Sequence, residues 1–253
     1  MQGKLMAARW GRALLDRLLP NACALCGGDS SEALCAGCEA QFFGPAAAIA
    51  RCVCCANPLP SGAPPGETGP AAGPLCGVCL RHPPAFERTL VAADYVLPVD
   101  QLVLQLKFGH RLALAPLCAR LLRDAVLRQQ GVALPALLCP VPLGPRRLAE
   151  RGYNQALEIA RPLARGLDIA LHARLVQRVR DTAAQSSVTP AERQANIAGA
   201  FAIADAALVT GRHIGVVDDV MTSGRTLNEL AATLKRHGAA RVSNLVFART
   251  PPH

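Results

Sequence analysis

Four Cys-x-x-Cys pairs, Cys23/Cys26, Cys35/Cys38, Cys52/Cys55 and Cys76/Cys79, constrain this chain more than any other feature. They fall in residues 21–82, a stretch rich in Gly and Pro with little hydrophobic periodicity. Such a segment cannot build a core of its own. A Cys-x-x-Cys turn aims two thiolates at one point, and two such turns close a tetrahedral zinc site with no position left for water. Two structural zinc ions are therefore expected, each contributing on the order of 10–16 kcal/mol to holding its segment together. Sequential pairing puts Cys23, Cys26, Cys35 and Cys38 on one ion and Cys52, Cys55, Cys76 and Cys79 on the other, and spacing alone leaves an interleaved pairing open. Gly27 and Gly77 each follow a ligand cysteine, which lets backbone N–H groups approach sulfur. Cys54, the extra member of "CVCC", has the wrong spacing from Cys52 for the usual turn. Cys118 and Cys139 lie in apolar surroundings and read as core residues.

Residues 1–20 place Leu14, Leu15, Leu18 and Leu19 on one stripe, with Trp10 a turn earlier, the pattern of an amphipathic helix. Lys4, Arg9, Arg12, Asp16 and Arg17 interrupt the apolar run that a secretory signal needs. The stripe fits docking onto the protein's own domains, or a peripheral membrane contact. No later stretch approaches the ~18 charge-free apolar residues of a membrane span. A cytoplasmic protein is expected, in which cysteines hold metal more often than they form disulfides. With 51% apolar residues the chain is not disordered, and 27 Lys and Arg against 18 Asp and Glu leave a net charge of +9. That charge serves solubility alone or favours polyanions such as nucleic acid, anionic lipid or phosphorylated substrates.

From about residue 86 the pattern changes. Residues 89–96, 136–142, 213–219 and 241–248 read as short apolar strands; 98–107, 112–129, 154–165 and 226–237 read as helices, the third with Pro162 inside it. Alternation of this kind predicts an α/β fold, a parallel sheet flanked by helices. Three zones result: the helix of 1–20, the cysteine-rich zone of 21–82, in which 61–74 is a loop, and a domain of 86–253.

In "IGVVDDVMTSGRT" (214–226), Ile214, Val216 and Val217 fit a buried strand that ends in Asp218 and Asp219. Ligands of open parallel sheets bind beyond the carboxyl ends of the strands, so both acids belong at the mouth of a crevice. Gly224 frees the loop Thr222-Ser223-Gly224-Arg225-Thr226 to curl its N–H groups around an anion at the start of the next helix. Carboxylates accept hydroxyl protons and repel phosphate, so the acids suit a sugar and the loop suits its phosphate. A ribose 5-phosphate unit matches both. The GxxxxGK loop of nucleotide triphosphatases is absent. Arg146, Arg147 and Arg151 follow another strand end and suit pyrophosphate oxygens. Residues 179–199, with Arg180 and few apolar anchors, read as a lid that orders over an anion. Lys107, a rare lysine here, reads either as a point charge for the site or as a helix cap.

"VVDDVMTSGRT" resembles the phosphoribosyl-pyrophosphate (PRPP) signature of type I phosphoribosyltransferases. With "CPVPLGPRRLAERGYNQ" (139–155), "RVRDTAAQSSVTPAERQANIAGAF" (178–201) and the cysteine-rich front, the chain from about 21 to 250 resembles the ComF family of competence-associated, ComFC/GntX-like proteins. The resemblance implies a type I phosphoribosyltransferase fold preceded by a double zinc ribbon. It implies that Asp218 and Asp219 bind the ribose hydroxyls of PRPP, that 222–226 hold its 5-phosphate, that the turn after "CPVP" is the pyrophosphate loop, and that 178–200 is a mobile loop.

Two functions follow. One is a Mg²⁺-dependent transfer of ribose 5-phosphate from PRPP to an acceptor that no motif identifies. The other is PRPP binding alongside the handling of incoming single-stranded DNA in natural transformation, with the basic loop and Tyr153 meeting the strand and competence-machinery proteins as partners. A zinc-ribbon adaptor docking to a partner protein is a third reading.

Overall fold

The computed structural model describes residues 21–47, 49–60, 73–129, 131–179 and 199–252. The helix expected over 1–20, most of the loop expected over 61–74, and most of the lid expected over 179–199, Arg180 included, lie outside the described residues. The chain divides into two compact units, Met1–Ala48 and Ile49–His253. The division falls between the two cysteine clusters, so the second cluster is part of the larger unit.

The smaller unit contains a two-stranded antiparallel ribbon, β1 (Asn21–Ala22) with β2 (Asp29–Ser30), and helix α1 (Ala36–Phe43). Among the described residues of this unit, Leu34 and Phe43 are the large buried aliphatic and aromatic side chains, too few to hold residues 21–47 without the cysteine cluster.

The larger unit is built on a five-stranded sheet of order β3-β9-β8-β4-β5, parallel throughout. Its strands are β3 (Arg88–Asp94), β4 (Leu137–Pro140), β5 (Ala170–Leu171), β8 (His213–Met221) and β9 (Arg241–Arg249). The four apolar runs read from the sequence are the four longest of these. Their residues are buried in both alternating sets because helices cover both faces. On one face α4 (Leu114–Arg128) and α6 (Gln155–Leu167) pack on each other and on β3 and β8. On the other, Leu227, Leu230, Ala231 and Leu234 of α7 (Arg225–Arg236) share a core with Ile214, Val216, Val242 and Val246. Cys52, Cys55, Cys79 and Phe86 belong to that same core. The second cysteine segment thus packs as a lobe of this domain, and α2 (Gly77–Arg81) carries Cys79 with Cys76 as its N-cap.

Three smaller elements did not show in the sequence pattern. An antiparallel ribbon joins β6 (Val176–Arg178) to β7 (Phe201–Ile203), a short helix α5 (Pro145–Arg151) follows β4, and β5 extends the sheet by two residues. Short helix α3 (Asp100–Lys107) lies where the sequence pattern placed a helix over 98–107. Among the buried polar side chains, Asn244 on β9 donates through Nδ2 to Oγ1 of Thr89, its register partner on β3, at 3.1 Å. Among the described residues no helix is long and apolar enough to cross a membrane.

Candidate functional site

The parallel arrangement brings the carboxyl ends of β3, β9, β8 and β4 to one edge, and the chemistry-bearing residues collect there. β8 does not stop at its acids. It runs on to Met221 because β9 stays in register beside it, Val220 facing Ala248 and Met221 facing Arg249. Asp218 and Asp219 therefore sit within the last residues of a strand. In its alternation Asp218 follows Val216, which joins the α7 core, and Asp219 follows Val217. Asp219 is buried and Asp218 half-buried. The Asp219 N–H donates to Asp218 Oδ1 at 2.9 Å, and the Val220 N–H donates to Asp219 Oδ1 at 2.8 Å. Burial, and then the charge of Asp219, push the Asp218 carboxyl well above its ordinary value, with the Asp219 N–H and Lys107 pulling more weakly the other way.

Lys107, the last residue of α3, is an ion-pair partner. Its Nζ lies 2.9 Å from Asp219 Oδ2, with both side chains largely shielded from solvent. The segment after β4 is fastened to the same helix end. The Tyr153 hydroxyl donates to the Leu106 carbonyl, the Arg151 guanidinium lies 5.2 Å over the Phe108 ring, and Tyr153 meets His110 edge-on at 6.0 Å. Asn154 locks the turn by accepting from Ala156 N–H as the α6 cap and donating to the Val141 carbonyl. Asp219, Lys107 and Arg151 are thus linked through neighbouring residues of α3. Arg146 and Arg147 are not drawn in: both are exposed on α5, and Arg146 pairs with Glu150 at 2.9 Å.

The loop that follows β8 is open. Thr222, Ser223 and Arg225 are exposed and Thr226 half-exposed. Gly224, at φ +75°, caps α7 with no side chain satisfying the first N–H groups of the helix, so these donors and the positive end of the helix dipole are available to an anion. A Cβ at Gly224 would lie 2.5 Å from Met221 Cε.

Behind this loop stands a residue that sequence reasoning missed. Arg249 ends β9 with 6% exposure. Its Nε donates to the Cys55 carbonyl at 2.9 Å, and its Nη1 donates to the carbonyls of Met221 at 3.0 Å, Thr222 and Thr250. The available signal was an arginine directly after the apolar run "LVFA" at the end of this strand.

The cysteines group sequentially. The sulfurs of Cys23, Cys26, Cys35 and Cys38 lie within 4.8 Å of one another, as do those of Cys52, Cys55, Cys76 and Cys79. Cys26 and Cys35 are 3.8 Å apart and Cys55 and Cys76 3.6 Å. Four thiolates at the ~2.3 Å Zn–S distance of a tetrahedral site stand about 3.8 Å from each other, so donor set and spacing fit a metal ion in each cluster. Cys54 stays outside, its thiol 3.5 Å from the Glu87 carbonyl. Cys118 and Cys139 are fully buried, and burial pushes the Cys139 thiol up to about 12.

Residues 154–252 match the phosphoribosyl transferase domain family. The DNA utilization protein YhgH of Salmonella typhimurium is 41% identical over 186 residues, which is 72% of this chain and 81% of that protein. The protein of the same name in Escherichia coli K12 is 40% identical over 178 residues, 69% and 78% of the two chains. Competence protein F of Haemophilus influenzae is 34% identical over 179 residues, again 69% and 78%. With the parallel sheet, the acid-bearing strand and both four-cysteine groups in place, this degree of likeness leaves one conclusion: the chain belongs to the ComF family of phosphoribosyltransferase-fold proteins.

Proposed function

We propose that the carboxyl edge of the sheet binds PRPP, and that the protein couples this ligand to the handling of single-stranded DNA. The observation that carries the PRPP reading is the open start of α7 at Gly224, with no side chain capping it, a short turn after a strand that carries a half-buried and a buried aspartate near its end. The exposed 222–226 loop supplies N–H and hydroxyl donors to the 5-phosphate. Asp218 and Asp219 accept from the ribose hydroxyls. Lys107 shields Asp219 and has further N–H donors for pyrophosphate oxygens, and Arg151 beside it supplies a second positive charge. Arg146 and Arg147, on the exposed helix, contribute to the field that attracts the polyanion rather than to fixed contacts. Mg²⁺, when bound with PRPP, neutralises pyrophosphate charge while keeping most of its waters. We read both cysteine clusters as structural zinc sites, since four thiolates leave no open coordination position.

Isothermal titration with PRPP and Mg²⁺ tests the site. The wild-type protein is expected to bind, and the double variant Asp218→Asn, Asp219→Asn to lose binding. Absence of binding by the wild type, with and without Mg²⁺, sinks the reading.

The DNA half rests on the names of the relatives and on the +9 charge. A transferase reaction at the same edge is the alternative. Release of pyrophosphate from PRPP on addition of an acceptor distinguishes transfer from binding alone.

A further inference from the structure

The second cysteine cluster and the phosphate loop share a single buried cation. The Arg249 guanidinium holds four main-chain carbonyls, one from Cys55 in the cluster and three from the turn and strand end that shape the loop: Met221, Thr222 and Thr250. A guanidinium is planar, permanently charged and rigid in its fork, so it fixes these carbonyls relative to one another. The loop follows this fixed point. Met221, whose carbonyl accepts from Arg249, also places its side chain under Gly224, where an added Cβ would meet Met221 Cε at 2.5 Å. The cluster end is equally fastened. The Thr89 N–H on β3 donates to the Val53 carbonyl at 3.0 Å, and Arg51 joins the Ala56 carbonyl at 3.0 Å to the Asp94 carboxylate at 2.8 Å. The Cys55 carbonyl therefore belongs to a loop whose shape depends on the Cys55 sulfur meeting its three partners.

We infer that Arg249 is a positioning residue through which metal occupancy of the Cys52, Cys55, Cys76, Cys79 cluster sets the shape, and so the anion affinity, of the 222–226 loop. The inference rests on the PRPP reading for its ligand, but the mechanical link stands on its own contacts. Losing the metal releases the Cys55 carbonyl. Arg249 then loses one of its fixed ends, and the loop's converged N–H groups spread. The first cluster belongs to the other compact unit, so it serves as the reference for this strut.

The full-length protein tests the strut in four forms: wild type, Arg249→Met, Cys76→Ser in the second cluster, and Cys26→Ser in the first. Metal content, PRPP affinity by titration and amide hydrogen exchange at residues 222–226 are read on each. Arg249→Met is expected to keep both metal ions and bind PRPP about tenfold more weakly. Cys76→Ser is expected to lose one ion with a similar loss of affinity, and to cost no more when combined with Arg249→Met. That non-additivity is what a merely destabilising change would not produce. Cys26→Ser is expected to lose one ion and keep its affinity. Exchange at 222–226 should rise in the first two variants and not in the third. If a variant does not fold, exchange in wild-type protein as a chelator strips the second ion replaces it, Cys26→Ser serving as the reference. Failure of wild type to bind PRPP defeats the ligand assignment and leaves exchange to judge the strut. Unchanged exchange at 222–226 after loss of the second ion overturns the inference.

Discussion

At the scale of the residue, Asp218 carries a cost that the proposed sugar-binding role would explain. A carboxyl raised by burial and a like-charged neighbour binds its proton more tightly in the folded chain than in the unfolded one. The sign follows. Between the ordinary value of 3.8 and the raised folded value the native state holds more protons, so stability is greatest below that window and falls as pH climbs through it. Asp218→Asn removes the penalty. Its thermal unfolding at neutral pH is expected to show a gain of about 1 kcal/mol, a gain that vanishes at low pH, together with weaker ligand binding. A melting temperature equal to or below that of wild type at pH 7 would contradict the burial argument. Lys107 makes the converse point. Its ion pair with Asp219 turns an acid sunk in the sheet into a tolerable one, since a buried carboxylate without a partner is among the costliest features a fold can carry.

At the scale of the element, the strand–loop–helix from β8 to α7 is the working unit, and Gly224 is its pivot. Gly224→Ala places a Cβ at positive φ and against Met221 Cε. We expect a loss of about 1–2 kcal/mol in stability and a larger relative loss of PRPP affinity, measured by denaturant unfolding and titration on one sample. Unaltered binding would mean the loop's curl is not what holds the phosphate. The main elements of this domain were legible beforehand because their patterns are local: Val216 and Val217 mark a doubly buried strand, and Leu227, Leu230 and Leu234 mark a helix stripe. The end of β8 was not legible, because only the ladder with β9 keeps Val220 and Met221 extended. The ribbon β6–β7 and helix α5 were missed for the same kind of reason. β6–β7 depends on pairing across a long stretch of sequence, and α5 buries no residue to give it a stripe. Arg249 showed only as an arginine after an apolar run, because an arginine that bonds only carbonyls leaves no motif, and the choice between point charge and cap for Lys107 needed the position of Asp219.

At the scale of the whole molecule, the two cysteine clusters are chemically alike and mechanically different. The first sits in a unit whose described residues include few large buried side chains, the second in a lobe of the sheet domain. Cys26→Ser is expected to remove the protection from hydrogen exchange of residues 21–47 while leaving the sheet's unfolding transition in place. A single shared loss of both would show that the units unfold as one. The net charge of +9 belongs to this scale as well. If DNA is held mainly through phosphates, affinity for a single strand should fall about ten- to a hundredfold between roughly 50 and 200 mM salt, and a flat salt response would rule that out. Finally, the hydrogen bond between Asn244 and Thr89 reaches beyond local packing. Were β3 to slide by one residue along β9, the amide would be stranded in hydrocarbon with nothing to accept its proton. The pair acts as an indexing pin: a newly made chain that seats its outer strand out of step is rejected, and the edge where every strand delivers its chemistry comes out level.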